Sequence, residues 1–195
     1  MFADIYQIFK EKLLSATQKL SIGIDDSDFL GPVINNRSLE NLIGCIEDAK
    51  HEGARILCGG KRYLSGGCKE GFYFEPTIVE EATPDAKISK KELFGPVTNL
   101  YKVKSFQEAL DLTNDSVFGL TASIHTASLH RAMTFSQKVK TGVVVVNGGT
   151  HGSEPHMGFG GLKNSGTGWK EAGTEALDVY SDWKYINLIT DPSEV

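Results

Sequence analysis

The strongest constraint on the fold is a rhythm that sets in at residue 97 and runs for about fifty residues. A strand pattern at 97–103 precedes Ser105-Phe106-Gln107-Glu108, a capping box that opens a helix. Phe118-Gly119-Leu120 interrupts that helix and leads into a second strand near 121–125. Another helix spans about 129–139, with Leu129, Ala132, Met133 and Ser136 on its expected inner stripe. Val143-Val144-Val145-Val146 follows, an unalternated β-branched run of the kind that suits a strand covered on both faces. The order β-α-β-α-β requires right-handed crossovers. It predicts an α/β fold: an open, mostly parallel sheet with flanking helices.

The preceding residues fit around such a sheet. Phe2, Ile5, Tyr6, Phe9 and Leu13 recur at helical spacing over 2–20. A second helix is expected from the cap-type Ser38, with Leu39, Leu42, Ile43 and Ile46 on one face and Gly53 as its stop. Residues 54–58 read as a short strand. Phe72 to Val79 reads as extended, with Pro76 favouring an edge or irregular position. Beyond Asn147, residues 148–168 form a long glycine-rich connection, the sort of loop that carries function. A short helix is expected from Trp169 to Ala176. The segment 178–190 has strand composition, with Val179, Tyr180, Trp183, Tyr185 and Ile186, and is expected to pair across a subunit boundary.

Composition excludes several functions. A net charge of −5 over 195 residues gives no general attraction to nucleic acid or anionic lipid. No apolar run approaches the ~20 residues of a membrane span. No basic leader precedes an apolar stretch at the N-terminus. The three cysteines, without a C-x-x-C, are expected to be reduced thiols, consistent with a cytoplasmic chain. There is no P-loop and no G-x-S-x-G elbow. His51-Glu52 is followed by Arg55 where a zinc helix needs a second histidine. His151 and His156 read first as polar loop residues. Taken singly, Glu92 reads as a solvated charge and Phe94 as a core anchor.

Two segments are not explained by fold alone: Lys91-Glu92-Leu93-Phe94-Gly95-Pro96-Val97, and Gly158-Phe159-Gly160-Gly161-Leu162-Lys163-Asn164-Ser165-Gly166-Thr167-Gly168. Together they resemble the E-x-F-G-P-V and F-G-G-x-K-x-S-G-x-G elements of the aldehyde dehydrogenase superfamily. Gly31-Pro32-Val33, Phe74-Glu75-Pro76-Thr77, Asn114 to Leu120 and Gly142 to Asn147 fall into the same register, so the resemblance covers about residues 2–188.

The resemblance implies oxidation of an aldehyde to a carboxylic acid with NAD or NADP. A cysteine thiolate attacks the aldehyde, and a Glu-activated water hydrolyses the thioester. It implies that Glu92 holds the nicotinamide-ribose hydroxyls and that Phe94 packs beside the nicotinamide. It places Thr150, His151 and Phe159 along the aldehyde tunnel and Glu171 at a position associated with proton relay. It also implies a homo-oligomer formed through 178–190. No metal is implied.

One departure matters. The family's nucleophile lies in a G-Q-x-C context, and Cys45, Cys58 and Cys68 match none of it. That cysteine, the general-base Glu and the dinucleotide-binding domain would all precede this region. The chain therefore resembles the C-terminal part of the catalytic domain (1–176) followed by an oligomerisation strand and tail (177–195), incomplete and inactive alone. The alternative is a natural stand-alone binding module, or half of a split enzyme.

Overall fold

A computed structural model describes residues 1–189. The chain divides into two compact units, Met1–Leu112 and Thr113 onward.

The first unit is built on helix α2 (Asn36–His51) and a three-stranded sheet. Helix α1 (Ala3–Thr17) precedes α2. The start of α2 is fixed three residues before the expected cap: the Asn35 side chain accepts from the Ser38 amide at 2.8 Å. Gly53, at φ +93°, ends it. Between these ends Leu39, Leu42, Ile46 and Ala49 are buried, and Cys45 lies beside them. They pack with Ala54, Phe74, Val79 and Ile88 into the core of the unit. Each large apolar side chain so buried contributes about 1.5–3 kcal/mol.

Strands β1 (Arg55–Cys58), β2 (Thr77–Glu80) and β3 (Val97–Leu100) lie in the order β1-β2-β3. The β1–β2 pair is antiparallel and the β2–β3 pair parallel. Of the two positions expected for Pro76, the irregular one holds: Pro76 lies outside the ladder, while β2 is the central strand and all four of its residues are buried. Pro76 is tolerated because it sits one residue ahead of the ladder, where its missing N–H interrupts no pairing. The first strand amide, Thr77 N–H, already donates to the Pro96 carbonyl at 2.8 Å. A one-turn helix, α3 (Lys87–Lys90), links β2 to β3.

Helix α4 (Phe106–Asn114) starts as the capping box predicts, with the Glu108 amide on Ser105 Oγ at 3.1 Å. The Glu108 carboxylate reaches back one residue further than expected, to the Lys104 amide at 2.7 Å.

The second unit contains β4 (Phe118–Gly119), β5 (Thr121–Ile124), α5 (Leu129–Lys138), β6 (Val143–Val146), β7 (Leu162–Lys163) and α6 (Ala176–Val179). The β5–β6 pair is parallel and the β4–β7 pair antiparallel. The architecture is α/β, with the strands shared among small mixed sheets flanked by helices.

Three expectations are corrected here. The inner stripe of α5 is Ala132 and Phe135 with Ser136 half-buried, while Leu129 and Met133 face outward. Ser128 caps the helix through the Arg131 amide, which sets its rotation and brings Phe135 inward. The valine run is half-buried rather than covered on both faces, and Val146 is exposed. No helix forms over 169–175. The Glu171 backbone instead pairs with Phe159, and helix begins only at Ala176.

The residues 180–189 form no strand; Tyr180, Trp183, Tyr185, Ile186, Leu188 and Ile189 are all exposed. Residue 190, the end of the expected strand, lies outside the described residues.

Glycine 44 sits inside α2, with open space where a Cβ would point and an ordinary helical backbone. Gly44→Ala is expected to stabilise the first unit by about 0.5–1 kcal/mol, read as a higher urea midpoint at an unchanged slope.

Candidate active-site residues

The segment carrying Glu92 and Phe94 is the connection from α3 to β3. Three features turn it outward. Phe94 adopts φ +52°, the left-handed region that a residue with a side chain seldom enters. Gly95 runs so close to α2 that a Cβ there would lie 2.6 Å from Leu42 Cδ1. Leu93, between the two site candidates, packs against the core. Glu92 is consequently exposed, and the Phe94 ring is 83% exposed. Left-handed backbone in a bulky residue costs about 1–3 kcal/mol and tends to persist at functional sites. The two side chains border a concavity of about 420 Å³ lined also by Ile88, Lys91, Val97 and Asn99. The core-anchor reading of Phe94 is thereby overturned: Leu93 is the anchor.

The second unit gathers the glycine-rich segment. Phe159 and Glu171 exchange two backbone hydrogen bonds, N–H to carbonyl in each direction at 2.8 Å. The Phe159 side chain is half-buried and that of Glu171 exposed. Thr150 and His151 are exposed in the 148–157 loop. The structure thus brings Glu92 to Phe94 in one unit, and Phe159 to Glu171 in the other.

Polar residues of the same motifs turn out to brace this loop. Lys163 Nζ donates to the carbonyls of Asn114 and Ser116, at 3.0 and 2.9 Å. Ser165 Oγ accepts the Gly119 amide at 3.0 Å. Lys170 Nζ donates to the carbonyls of Gly142 and Gly160. Asn114 bridges the Lys138 carbonyl and the Lys140 amide, and Asn147 clasps the backbone of Thr126 on both sides. Each of these side chains satisfies backbone groups that the irregular chain leaves without ladder partners. Of the five, Ser165 and Asn147 stand next to glycines in the sequence, but the partners of these side chains lie 10 to 49 residues away.

None of the cysteines has the surroundings of a nucleophile. Cys45 and Cys68 are buried. Burial pushes the half-buried Cys58 thiol up from its ordinary value, away from the thiolate form. Among the described residues no three His, Cys, Asp or Glu side chains converge as a metal site, and no helix is long and apolar enough to cross a membrane.

The family model of the aldehyde dehydrogenase family matches residues 2–186. The chain is 38% identical to an alpha-ketoglutaric semialdehyde dehydrogenase of Bacillus subtilis (strain 168), across 94% of this chain and 38% of that protein. It is 31% identical to an NAD(+) benzaldehyde dehydrogenase of Pseudomonas putida, across 97% and 38%. Among solved structures it matches betaine aldehyde dehydrogenase from Staphylococcus aureus in complex with NAD+, with a TM-score of 0.85 and 32% identity, over 91% of this chain and 35% of that one. The chain thus spans a little over a third of the length of these relatives. With nearly all of its residues matched by one family model, the chain belongs to the aldehyde dehydrogenase family.

Proposed function

We propose that this chain is the C-terminal portion of an NAD(P)-dependent aldehyde dehydrogenase catalytic domain. The reaction is aldehyde + NAD(P)+ + H2O → carboxylate + NAD(P)H, with two protons released. The nucleophilic cysteine, the general base and the dinucleotide-binding fold come from outside this chain, which is inactive by itself. The dinucleotide, when bound, supplies the hydride acceptor. The observation that carries the reading is the outward presentation of Glu92 and Phe94 beside the concavity.

The chemistry of the two side chains fits that cofactor. Among the described residues nothing bonds the Glu92 carboxylate, which leaves both oxygens able to accept from a vicinal ribose diol. The exposed Phe94 ring offers an apolar face to a flat heterocycle and excludes water from one side of it. In the same reading Thr150, His151 and Phe159 line the aldehyde path, and Glu171 stands where a proton can leave. Residues 177–195 join subunits, which gives the exposed aromatic residues of 180–189 a covering surface.

Glu92→Gln in the natural protein that carries this segment tests the reading. It keeps the shape and removes a charged acceptor worth about 1.5–3 kcal/mol. The expected result is a rise of about 10- to 100-fold in KM for the dinucleotide, or an equivalent fall in kcat/KM. Unchanged kinetics would overturn the assignment.

A further inference from the structure

The loop that presents Glu92 and Phe94 is not stabilised by the helix it leaves. Helix α3 has one turn, far short of the length at which a helix holds itself together. Side chains from other elements fix it. On β3, Asn99 Nδ2 donates to the Ile88 carbonyl at 2.8 Å. Just beyond that strand, the Tyr101 hydroxyl donates to Ser89 Oγ at 2.5 Å. From α2, Asn41 takes Lys91 Nζ at 2.7 Å and Asp48 takes Lys87 Nζ at 2.6 Å, but both contacts lie on the surface, where such pairs hold weakly.

Asn99 differs from the others in one respect. Its Oδ1 is buried and has no hydrogen-bond partner among the described residues. An unpaired buried acceptor is a cost that an apolar side chain of similar size would avoid. Asparagine is therefore a poor choice here for stability alone. What it supplies, and leucine cannot, is a donor aimed at the last turn of α3, and it does so while lining the concavity beneath Glu92 and Phe94.

We propose that Asn99 is a positioning residue for dinucleotide binding, an inference that rests on the reading of Glu92 and Phe94 as cofactor contacts. Asn99 touches no reacting atom. Its amide sets where α3 ends, and the left-handed turn at Phe94 and the close approach at Gly95 then place the carboxylate and the ring at a fixed offset. Tyr101 supports the same turn one contact further along.

The test uses the natural protein that carries this segment, with NAD+ and NADP+ as probes. Asn99→Leu is expected to raise KM for the preferred dinucleotide about 5- to 10-fold, the size of one lost hydrogen bond, with kcat within about 2-fold. Amide exchange over residues 89–94 is expected to quicken about 10-fold while the amides of Ile46 and Val79 keep their protection. Because Asn99 acts through Glu92, its effect on KM should shrink to under about 2-fold in a Glu92→Gln background. If Glu92→Gln raises KM and Asn99→Leu does not, the positioning role is overturned while the cofactor reading stands. If Glu92→Gln itself leaves KM unchanged, both fall. Should Asn99→Leu not fold, Tyr101→Phe removes the neighbouring tie and is expected to move KM and exchange the same way by about 2- to 3-fold; no movement in either would likewise overturn the proposal.

Discussion

Glu80→Ala is expected to destabilise the first unit by about 3 kcal/mol, the largest loss from any single charge among the described residues. Glu80 ends the central strand and is only 2% exposed. Its carboxylate takes the Tyr6 hydroxyl at 2.8 Å and Lys10 Nζ at 3.2 Å, and Arg55 closes on its other oxygen. Truncation strands a buried hydroxyl and a largely buried ammonium without their acceptor, and that is what costs. The interaction itself is worth much less, since its Coulombic gain is offset by desolvation. A variant carrying Glu80→Met, Tyr6→Phe and Lys10→Met together is accordingly expected to fold at close to the parent stability. A loss below 1 kcal/mol in Glu80→Ala would show that the network behaves as an ordinary surface ion pair.

The same network gives the stability a pH dependence at both ends. Burial alone would raise the Glu80 carboxyl, but the hydrogen bonds from Tyr6, Lys10 and Arg55 outweigh it and hold the group below its ordinary value. A depressed carboxylate contributes stability that is complete above the ordinary carboxylate range, about pH 4, and is lost as pH falls through the folded value. Tyr6 moves the other way. Burial, and then the bond to Glu80, push it up to about 12. Its contribution is complete below the ordinary phenol value near 10 and disappears as pH rises toward 12. Urea midpoints followed with pH should show both slopes in the parent and shallower ones in the triple variant, where Asp48, held down by Lys87, and Tyr73, pushed up by burial, still contribute. Helix α1 reports the effect locally, because Tyr6 is its one buried side chain. Its amides should exchange first when Glu80 is lost.

That helix also shows where sequence and structure part. Its apolar spacing correctly predicted a helix and a face in need of cover. Yet Ile5 and Ile8 are at least half exposed and Phe9 nearly so, because periodicity states that a face is apolar without stating what lies against it. Helix α2 shows the opposite case. Its stripe, its stop and its neighbours all lie within one unit, so Leu39, Leu42 and Ile46 were correctly assigned to the core. Pro76 allowed an edge or an irregular position, and the irregular one holds; that the strand after it is central depends on the partner strands and not on local sequence. At the candidate site, Glu92 and Phe94 are proposed from the motif alone; no local signal announced that Phe94 would stand outward. Asn99 and Tyr101 gave no signal, since each acts on backbone or hydroxyl groups 11 or 12 residues away.

The glycine cluster between Gly142 and Gly173 carries the second large expectation. Gly142 has no left-handed backbone, so conformational freedom is not why it is glycine. The reason is space. A Cβ at 142 would run into the Gly160 carbonyl oxygen and crowd Lys170 Nζ at 2.7 Å. Lys170 donates to both of those glycine carbonyls, so one methyl group would displace the chain and break the bridge that holds it. Because the obstacle is backbone and no flexible side-chain tip can swing away, Gly142→Ala is expected to cost the second unit about 3 kcal/mol. Gly152→Ala is the control. Gly152 adopts φ +84° but has open space around it, so the strain there is confined to the backbone, about 1 kcal/mol. The two variants separate steric from conformational demand. Gly142→Ala should lose amide protection at Phe159 and Glu171, whose paired backbones depend on the Gly160 position, while Gly152→Ala should leave both protected. Equal loss in the two would mean that the bridge answers to the overall stability of the unit, and that the close approach of residues 142 and 160 is not what aligns the Phe159–Glu171 segment.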